Sequence, residues 1–278
     1  MPARSRRGAA YTRRVSDIDR IEIDGAPAAQ AELEQVTSAY GHFTAMQVRK
    51  GATRGLDLHL RRLAETNRER FGTELDRDRI LTLVRSALDG AEDASVRVYL
   101  YDSPGGSRVV VTVKPPGELP SRQRLRSVRY QRPDAHVKHV VTEQGRYREE
   151  VQREGYDDAL LTGEDGAVSE TSMANIGFFE GSTVVWPDAP ILHGVTMQLL
   201  EERLPDRGVT VQRKGVRVAD IATLDGAFLT SARGIASVGA VDDVELTIDP
   251  DRMRRLEEAY AAVPWDPIEV GRTRSSTR

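Results

Sequence analysis

The sequence predicts two α/β domains of the α+β type, each with its own strands and helices. Three observations predict this fold class. The 278 residues exceed the roughly 100–200 residues of one typical domain. The segment KPPGELPSRQR has the proline content of a linker, and a second series of strands and helices starts after it. We therefore predict, in chain order, a basic disordered tail at 1–18, an N-terminal domain at 19–116, a linker at 117–125, a C-terminal domain at 126–265 and a second tail at 266–278.

The N-terminal domain begins with strand signals and continues with two helices. IEIDGAP predicts a short strand and turn, and TAMQVRKGATRG predicts a hairpin that turns at KGATRG. Asp57 is a predicted helix N-cap, leucines follow at helical spacing, and Gly72 ends the helix. A second helix is predicted over 76–90. The segments SVRVYLYD and SRVVVTVK, joined by SPGG, predict another hairpin.

The C-terminal domain contains a longer series of the same kinds of element. It begins with VRYQRPDAHVKHV and a predicted helix around 143–154. The later elements are β segments in YDDALLTGEDGAVSET and IGFFEGSTVVWP, a helix in GVTMQLLEERLPDRG, a strand in GVTVQRKGV, a helix in VADIATLDG and a strand in AFLTSARGIASVGAVDD. Strands and helices therefore occur in both predicted domains.

The composition is that of a globular protein with no general affinity for polyanions. Apolar residues make up 39% of the chain and charged residues 30%, and the formal net charge is −3, so nucleic acid and anionic lipid are not attracted globally. The absence of cysteine excludes disulfides, thiolate nucleophiles and Cys-ligated metals, and is typical of a cytoplasmic protein. No apolar run reaches membrane-spanning length. We therefore expect a cytoplasmic protein that binds neither nucleic acid nor membrane, and we predict no metal site.

Lysine is rare in this chain, which makes Lys138 conspicuous. Only four of the 40 basic residues are lysines: Lys50, Lys114, Lys138 and Lys214. A guanidinium stays protonated, whereas a desolvated lysine can lose its proton and attack a carbonyl carbon. A lysine beside a strand end is more often a solvated charge, so spacing alone does not make Lys138 catalytic.

Two further features have chemistry that complements an amine. Glu170 lies where one predicted strand ends and the next begins, although a surface carboxylate is the commoner interpretation of such a position. Val195 and Thr196 open a predicted helix, where free backbone N–H groups and the helix dipole favour a phosphate, helped by the threonine hydroxyl. A simple threonine N-cap is the alternative at this position.

Arginine completes the set of groups. In LHLRRL, Arg61 and Arg62 cannot both face the core, so one of them can present its planar guanidinium to a phosphate while the other is solvated. An amine, a carboxylate, a helix N-terminus and an arginine are the groups needed to hold pyridoxal 5′-phosphate.

Six stretches carry a resemblance to a known family in their order and separation. They are YGHFTAMQVRKG, HLRRL, HVKHV, GYDDALLTGEDGAVSETSMANIGFF, LHGVT and FLTSARGI. They resemble the class IV aminotransferases, the fold-type IV pyridoxal-phosphate enzymes that include branched-chain and D-amino-acid aminotransferases and aminodeoxychorismate lyase. The resemblance extends from about Ile21 to about Val244, nearly the whole chain apart from its tails.

The resemblance implies a fold, a cofactor and a set of site residues. The family fold has two α/β domains with pyridoxal 5′-phosphate in the cleft between them, usually in a homodimer. The positions that match the family motifs are Lys138 for the covalent bond to the cofactor, Glu170 for the pyridine nitrogen, Arg62 for the phosphate, Val195 and Thr196 for the phosphate cup, and Ser231 near a second phosphate-contacting loop. The implied substrates are a small amino donor and a 2-oxo acid acceptor.

Departures from the family pattern leave three functions open. The usual LPG before the phosphate helix reads LHG, with His193 in place of proline. Positions 141–143 lack the tyrosine of branched-chain enzymes, which argues against that activity. Aminodeoxychorismate lyases often have FTT where this chain has FTA, and some have an arginine in the strand matching VYLYD, so a lyase is weakened while HVKHV favours it. We expect an aminotransferase, with a lyase or an inactive binding protein of the same fold as alternatives.

Overall fold

The computed structural model describes residues 20–28, 32, 40–103, 106–140 and 143–269. The predicted tail at 1–18 and residues 270–278 of the second tail lie outside this part of the chain. The described strands form two large sheets and one small one. The chain passes from the first large sheet to the second between Lys114 and Arg122, within the proline-containing segment.

The first sheet is antiparallel throughout, in the order β2-β1-β6-β5-β3. Two helices cover one of its faces. The elements of this part of the chain are β1 (Arg20–Ile23), β2 (Ala26–Pro27), β3 (Gly41–Val48), β4 (Ala52–Arg54), α1 (Leu56–Phe71), α2 (Arg77–Leu88), β5 (Ala94–Tyr101) and β6 (Arg108–Lys114).

Alternation along the strands determines which face the helices cover. In β5, Val96, Val98 and Leu100 are fully buried against α1 and α2, while the residues between them point to the opposite face. Leu60 and Leu63 of α1 pack into the same core. The opposite face of this sheet is therefore available to line a site.

The ends of α1 test two sequence predictions. The helix ends at Gly72, as predicted, with a φ of 67° that suits glycine. Asp57 as the N-cap is wrong, because the cap position is occupied by Gly55 and Asp57 lies in the first turn. The Asp57 carboxylate instead pairs with Arg61 at 2.8 Å and with Arg77 at 2.6 Å.

The second sheet has nine strands and is mixed. Its order is β12-β11-β10-β13-β14-β7-β8-β9, with β15 paired to β14, and β7 runs parallel to both of its neighbours. Its elements are β7 (Arg122–Arg129), α3 (Gln144–Arg153), β8 (Asp158–Thr162), β9 (Val168–Thr171), β10 (Asn175–Glu180), β11 (Thr183–Pro187), α4 (Val195–Arg203), β12 (Thr210–Lys214), β13 (Gly226–Ser231), β14 (Gly234–Val241), β15 (Val244–Glu245) and α5 (Pro250–Ala261).

Several elements differ from their predictions. The stretch predicted as one strand in AFLTSARGIASVGAVDD is a hairpin of β13 and β14, which turns between Ser231 and Gly234. The helix predicted in VADIATLDG is a 3₁₀ helix at Val218–Thr223. A last strand, β16 (Trp265–Pro267), pairs with β4, so residues predicted to begin the tail are bound to the N-terminal part of the chain. In the part of the chain described, no helix is long and apolar enough to cross a membrane.

Candidate active site

Lys138 lies where the two large sheets meet. It follows β7 of the second sheet, yet its backbone carbonyl accepts a hydrogen bond from the Phe43 amide of β3 at 3.0 Å. The Val140 amide continues this pairing by donating to the Gly41 carbonyl at 3.0 Å. The Lys138 amine lies 5.0 Å from the centre of the Phe43 ring. The lysine therefore projects over the face of the first sheet that the helices leave free.

The surroundings of Lys138 favour its neutral form. The pKa of the Lys138 amine is lowered to about 7 by burial first and then by the nearby Arg62 and Arg132 guanidinium groups, while the Glu170 carboxylate opposes the shift. An amine with a pKa near 7 is substantially unprotonated at neutral pH, which a nucleophile or general base requires. The residue singled out by lysine scarcity is thus an activated amine.

Glu170 is one half of a buried ion pair. It lies in β9, and its side chain is 8% exposed. Its Oε1 atom accepts a hydrogen bond from Arg132 Nε at 2.9 Å. Burial raises the pKa of Glu170, whereas Arg132 and the Leu192 amide oppose this rise by stabilising the carboxylate. Glu170 is therefore no solvated surface carboxylate.

Arg132 is a site residue that the sequence analysis missed. Besides Glu170, its guanidinium donates to the Val137 carbonyl at 2.6 Å and to the Ala135 carbonyl. One side chain thus holds the turn that precedes Lys138 and also orients the carboxylate. The sequence gives no local signal for it, because Arg132 is one of many arginines and its partner lies 38 positions away.

The first turn of α4 is fixed by contacts with β13 and with Asn175. The Thr196 hydroxyl donates to the Ser231 carbonyl at 2.8 Å, which fixes the first turn of the helix against the end of β13. A Cβ atom on Gly194 would lie 2.1 Å from Asn175 Oδ1, so only glycine fits there. Because the Thr196 hydroxyl proton is used in this bond, an anion at the helix start would be bound by backbone N–H groups rather than by that proton.

The structure distinguishes the two neighbouring arginines of α1. The Arg61 side chain is 55% exposed and pairs with Asp57. Arg62 is half-buried, and its Nη2 atom donates to the His193 carbonyl, just before α4, at 2.9 Å. Burial lowers the pKa of Arg62 to about 10, and Arg132 contributes to this shift. Arg62 therefore lies beside the helix start as a cation that faces no carboxylate partner among the described residues.

Leu192 connects the carboxylate to the helix start. Its amide donates to Glu170 Oε2 at 3.3 Å, and its carbonyl accepts from Asn175 Nδ2 at 2.7 Å. Asn175 in turn contacts Gly194. The backbone of one residue thus fixes the distance between Glu170 and the first turn of α4.

Two more polar residues near Lys138 received no role in the sequence analysis. Arg97 of β5 contributes to lowering the Lys138 pKa, and its guanidinium lies 5.7 Å from the centre of the Phe43 ring. Arg97 directly precedes VYLYD in the same strand, so the prediction that this strand lacks an arginine is wrong. His59 is buried, with Nδ1 2.6 Å from the Thr44 hydroxyl, and burial lowers its pKa to about 3. The HLRRL match already contained His59 without assigning it a role.

The site therefore combines an activated amine with a nearby carboxylate and nearby guanidinium groups. Lys138, Glu170 and Arg62 interact electrostatically, while Val195, Thr196 and Ser231 belong to one hydrogen-bonded unit at the start of α4. Such a set can form a covalent bond with an aldehyde, pair with a protonated ring nitrogen and bind a phosphate. Within the described residues, no group of three or more His, Asp or Glu side chains is arranged to hold a metal ion.

Solved structures share this fold. A hypothetical aminotransferase from Mycobacterium tuberculosis, in its PLP-bound form, superposes with a TM-score of 0.74 at 20% identity, covering 88% of this chain and 98% of that one. A putative 4-amino-4-deoxychorismate lyase from Legionella pneumophila gives a TM-score of 0.71 at 21% identity, over 80% and 90% of the two chains. At these identities the likeness shows the fold.

Sequence comparison shows the family. A probable branched-chain-amino-acid aminotransferase from Rickettsia felis is 29% identical over 121 residues, or 42% of each chain. The match therefore spans less than half the length of this curated relative. The amino-transferase class IV profile matches residues 41–241, which is most of the chain and contains every predicted site residue. The chain therefore belongs to the class IV aminotransferase family, whose cofactor is pyridoxal 5′-phosphate.

Proposed function

We propose that this protein is a pyridoxal-phosphate-dependent aminotransferase that moves an amino group between a small amino acid and a 2-oxo acid. The observation that carries the proposal is the buried Lys138 amine, whose pKa burial and Arg62 lower to about 7 against the opposing effect of Glu170. A protein that only binds a ligand has no need of an activated amine. This argues against an inactive binding protein.

The residues present fit the cofactor by charge and by position. Arg62 faces no carboxylate among the described residues and lies beside the start of α4, so a phosphate dianion is a suitable partner for it. The N–H groups of Val195 and Thr196 are at the positive end of the same helix. Glu170, held by Arg132, offers a carboxylate to a protonated ring nitrogen. When bound, the cofactor supplies an electron-withdrawing ring that weakens the Cα–H bond of an attached amino acid.

Each side chain then has a task of its own. Lys138 would hold the cofactor through its amine and, once the substrate amino group has freed it, would take the Cα proton as a general base and deliver it to carbon C4′ of the cofactor as a general acid. Glu170 keeps the ring nitrogen protonated. Arg62, Val195 and Thr196 hold the phosphate, and the Ser231 carbonyl steadies the helix start through the Thr196 hydroxyl.

Arg97 gives the proposed site a group for an acidic substrate. It lies on the same free sheet face as Phe43, whose ring is 5.0 Å from the Lys138 amine. Its guanidinium donates to the Tyr99 hydroxyl at 3.3 Å and forms no ion pair with any described residue. A half-buried cation near the reacting amine is suited to bind a substrate carboxylate, which every 2-oxo acid and amino acid carries.

The assembly and location belong to the same proposal. We expect a homodimer, as in other members of the family, and light scattering of the purified protein tests this. The lack of cysteine supports a location in the reducing cytoplasm.

Product analysis tests the activity. Purified protein supplied with pyridoxal 5′-phosphate is incubated with D- and L-amino acids, branched-chain ones included, together with 2-oxo acids. Aminodeoxychorismate is offered separately. We expect a new amino acid and a new 2-oxo acid in equal amounts, and none from a Lys138→Ala variant. Pyruvate release from aminodeoxychorismate without an acceptor would identify a lyase instead. No turnover of any compound by protein with bound cofactor would favour the binding protein.

A further inference from the structure

The loop before α4 is fastened to the protein on its inner side by backbone contacts. Leu192 is held at both its amide and its carbonyl, by Glu170 and Asn175. Gly194, at the N-cap, has no side chain with which to make a contact of its own. The remaining residue, His193, is therefore the one whose side chain can fasten the outer side of the loop.

The His193 side chain does make such a contact. Its Nε2 atom lies 2.5 Å from Glu201 Oε2, two turns further along α4. The second oxygen of Glu201 accepts from Arg213 Nη2 of β12 at 3.0 Å. His193, Glu201 and Arg213 thus form a chain of charged and polar contacts across the outer surface of the helix, which we call the histidine tether. Their side chains are 49%, 21% and 40% exposed, respectively.

The backbone of His193 faces the proposed phosphate site. Its carbonyl accepts from Arg62 Nη2 at 2.9 Å and from Gln198 Nε2 at 2.9 Å. The position of this carbonyl therefore determines where the Arg62 guanidinium lies relative to the first turn of α4. A loop free to rotate at His193 would displace the cation and the helix N–H groups from each other.

We propose that His193 is a positioning residue for the cofactor phosphate: the histidine tether holds the loop so that Arg62 and the first N–H groups of α4 converge on one anion. The inference rests on the proposed phosphate site. It concerns only this chain's loop, where a side-chain contact takes the place of the rigid proline ring that the family usually has before glycine.

Equilibrium binding of pyridoxal 5′-phosphate tests the tether in protein stripped of cofactor. We compare His193→Ala, Glu201→Gln and the double variant by titration at pH 6.5. Each single change should raise the dissociation constant about three- to fivefold, the scale of a partly exposed charged contact. The double variant should be no weaker than the weaker single one, because both changes remove the same contact. Glu202→Gln is the matched control and should bind as wild type does, since the ion pair that Glu202 forms among the described residues is with its neighbour Arg203.

Hydrogen exchange separates positioning from general damage to the fold. In cofactor-free protein, hydrogen exchange of amides 192–196 should be faster in Glu201→Gln than in the Glu202→Gln control.

Two outcomes would overturn the inference. They are additive effects in the double variant and unchanged amide exchange. Arg62→Ala in the same assay separates this failure from failure of the phosphate site. If Arg62→Ala binds as wild type does, the phosphate site itself is wrong. If Arg62→Ala weakens binding while both tether variants match wild type, only the tether is wrong.

Discussion

Replacing Arg132 with methionine tests whether the buried ion pair organises the active site. The Arg132 and Glu170 side chains are 4% and 8% exposed, and their contact is 2.9 Å. Removing one partner of such a pair leaves the other charge buried and uncompensated, which costs roughly 3–5 kcal/mol. We therefore expect Arg132→Met to lower the free energy of unfolding of cofactor-free protein by about 3–5 kcal/mol at pH 7. Urea denaturation followed by tryptophan fluorescence measures it.

A double variant isolates the unpaired charge from lost packing. Adding Glu170→Gln to Arg132→Met removes the uncompensated carboxylate, so the double variant should be about 1–3 kcal/mol more stable than Arg132→Met alone. Arg126→Met in β7 is the control, because Arg126 contacts Asp242 and Glu154 at a half-exposed position. Loss of those contacts should cost less than about 1 kcal/mol.

The pH dependence of the loss provides a second check. Burial already raises the pKa of Glu170, and Arg132 is the first interaction that opposes the rise. Without Arg132 the pKa rises further, so folding takes up a proton as pH falls toward the unfolded value of about 4.3. The stability difference between wild type and Arg132→Met should therefore be smaller at pH 5 than at pH 8. A pH-independent difference, or a double variant less stable than the single one, would refute this account of Glu170.

Three further predictions concern the cofactor. Arg62→Ala should weaken pyridoxal 5′-phosphate binding by about 1.5–3 kcal/mol, and Arg61→Ala by well under 1; equal dissociation constants would show that Arg62 does not bind the phosphate. Glu170→Gln should still bind cofactor, yet its single-turnover reaction with an amino donor should slow by roughly 10²-fold, and an unchanged rate would remove Glu170 from the mechanism. In cofactor-free protein, competitive labelling should show Lys138 titrating at about pH 7, and a midpoint above 9 would contradict its desolvation.

The sequence predicts those helices and strands that pack one face into the core and leave the other face free. The spacing of the leucines in α1 and of the valines in β5 indicates which face packs inward, and in the structure these side chains lie in the core. The residue that caps a helix is harder to predict from the local sequence. Asp57 has the side chain of an N-cap, but two arginines compete for its carboxylate, and one of them, Arg77, comes from the next helix. A residue's cap propensity cannot reveal a partner that only folding supplies.

The site residues also divide into those that a local motif identifies and those whose partners are distant in the sequence. Lys138, Glu170 and the start of α4 lie in motifs whose order along the chain identifies them. Arg132 and Arg97 do not, because their importance comes from partners on other strands: Glu170 of β9 for Arg132, and Phe43 of β3 for Arg97. In a chain with so many arginines, residue type alone cannot select the two that approach a lysine.

In the proposed site, the groups that would hold the cofactor do not distinguish transamination from elimination, because both reactions would use the same amine, carboxylate and phosphate-binding groups. The side chains on the free face of the first sheet would make that distinction. There the rings of Phe43 and Tyr99 stack at 5.2 Å, and Arg97 lies beside them. These side chains face the substrate in the proposed site, so they set which carboxylate or ring is accepted and how it lies against Lys138. Substitutions at Arg97 should therefore change the choice of substrate and leave cofactor affinity intact. Substitutions at Arg62 should weaken cofactor affinity and leave the choice of substrate intact.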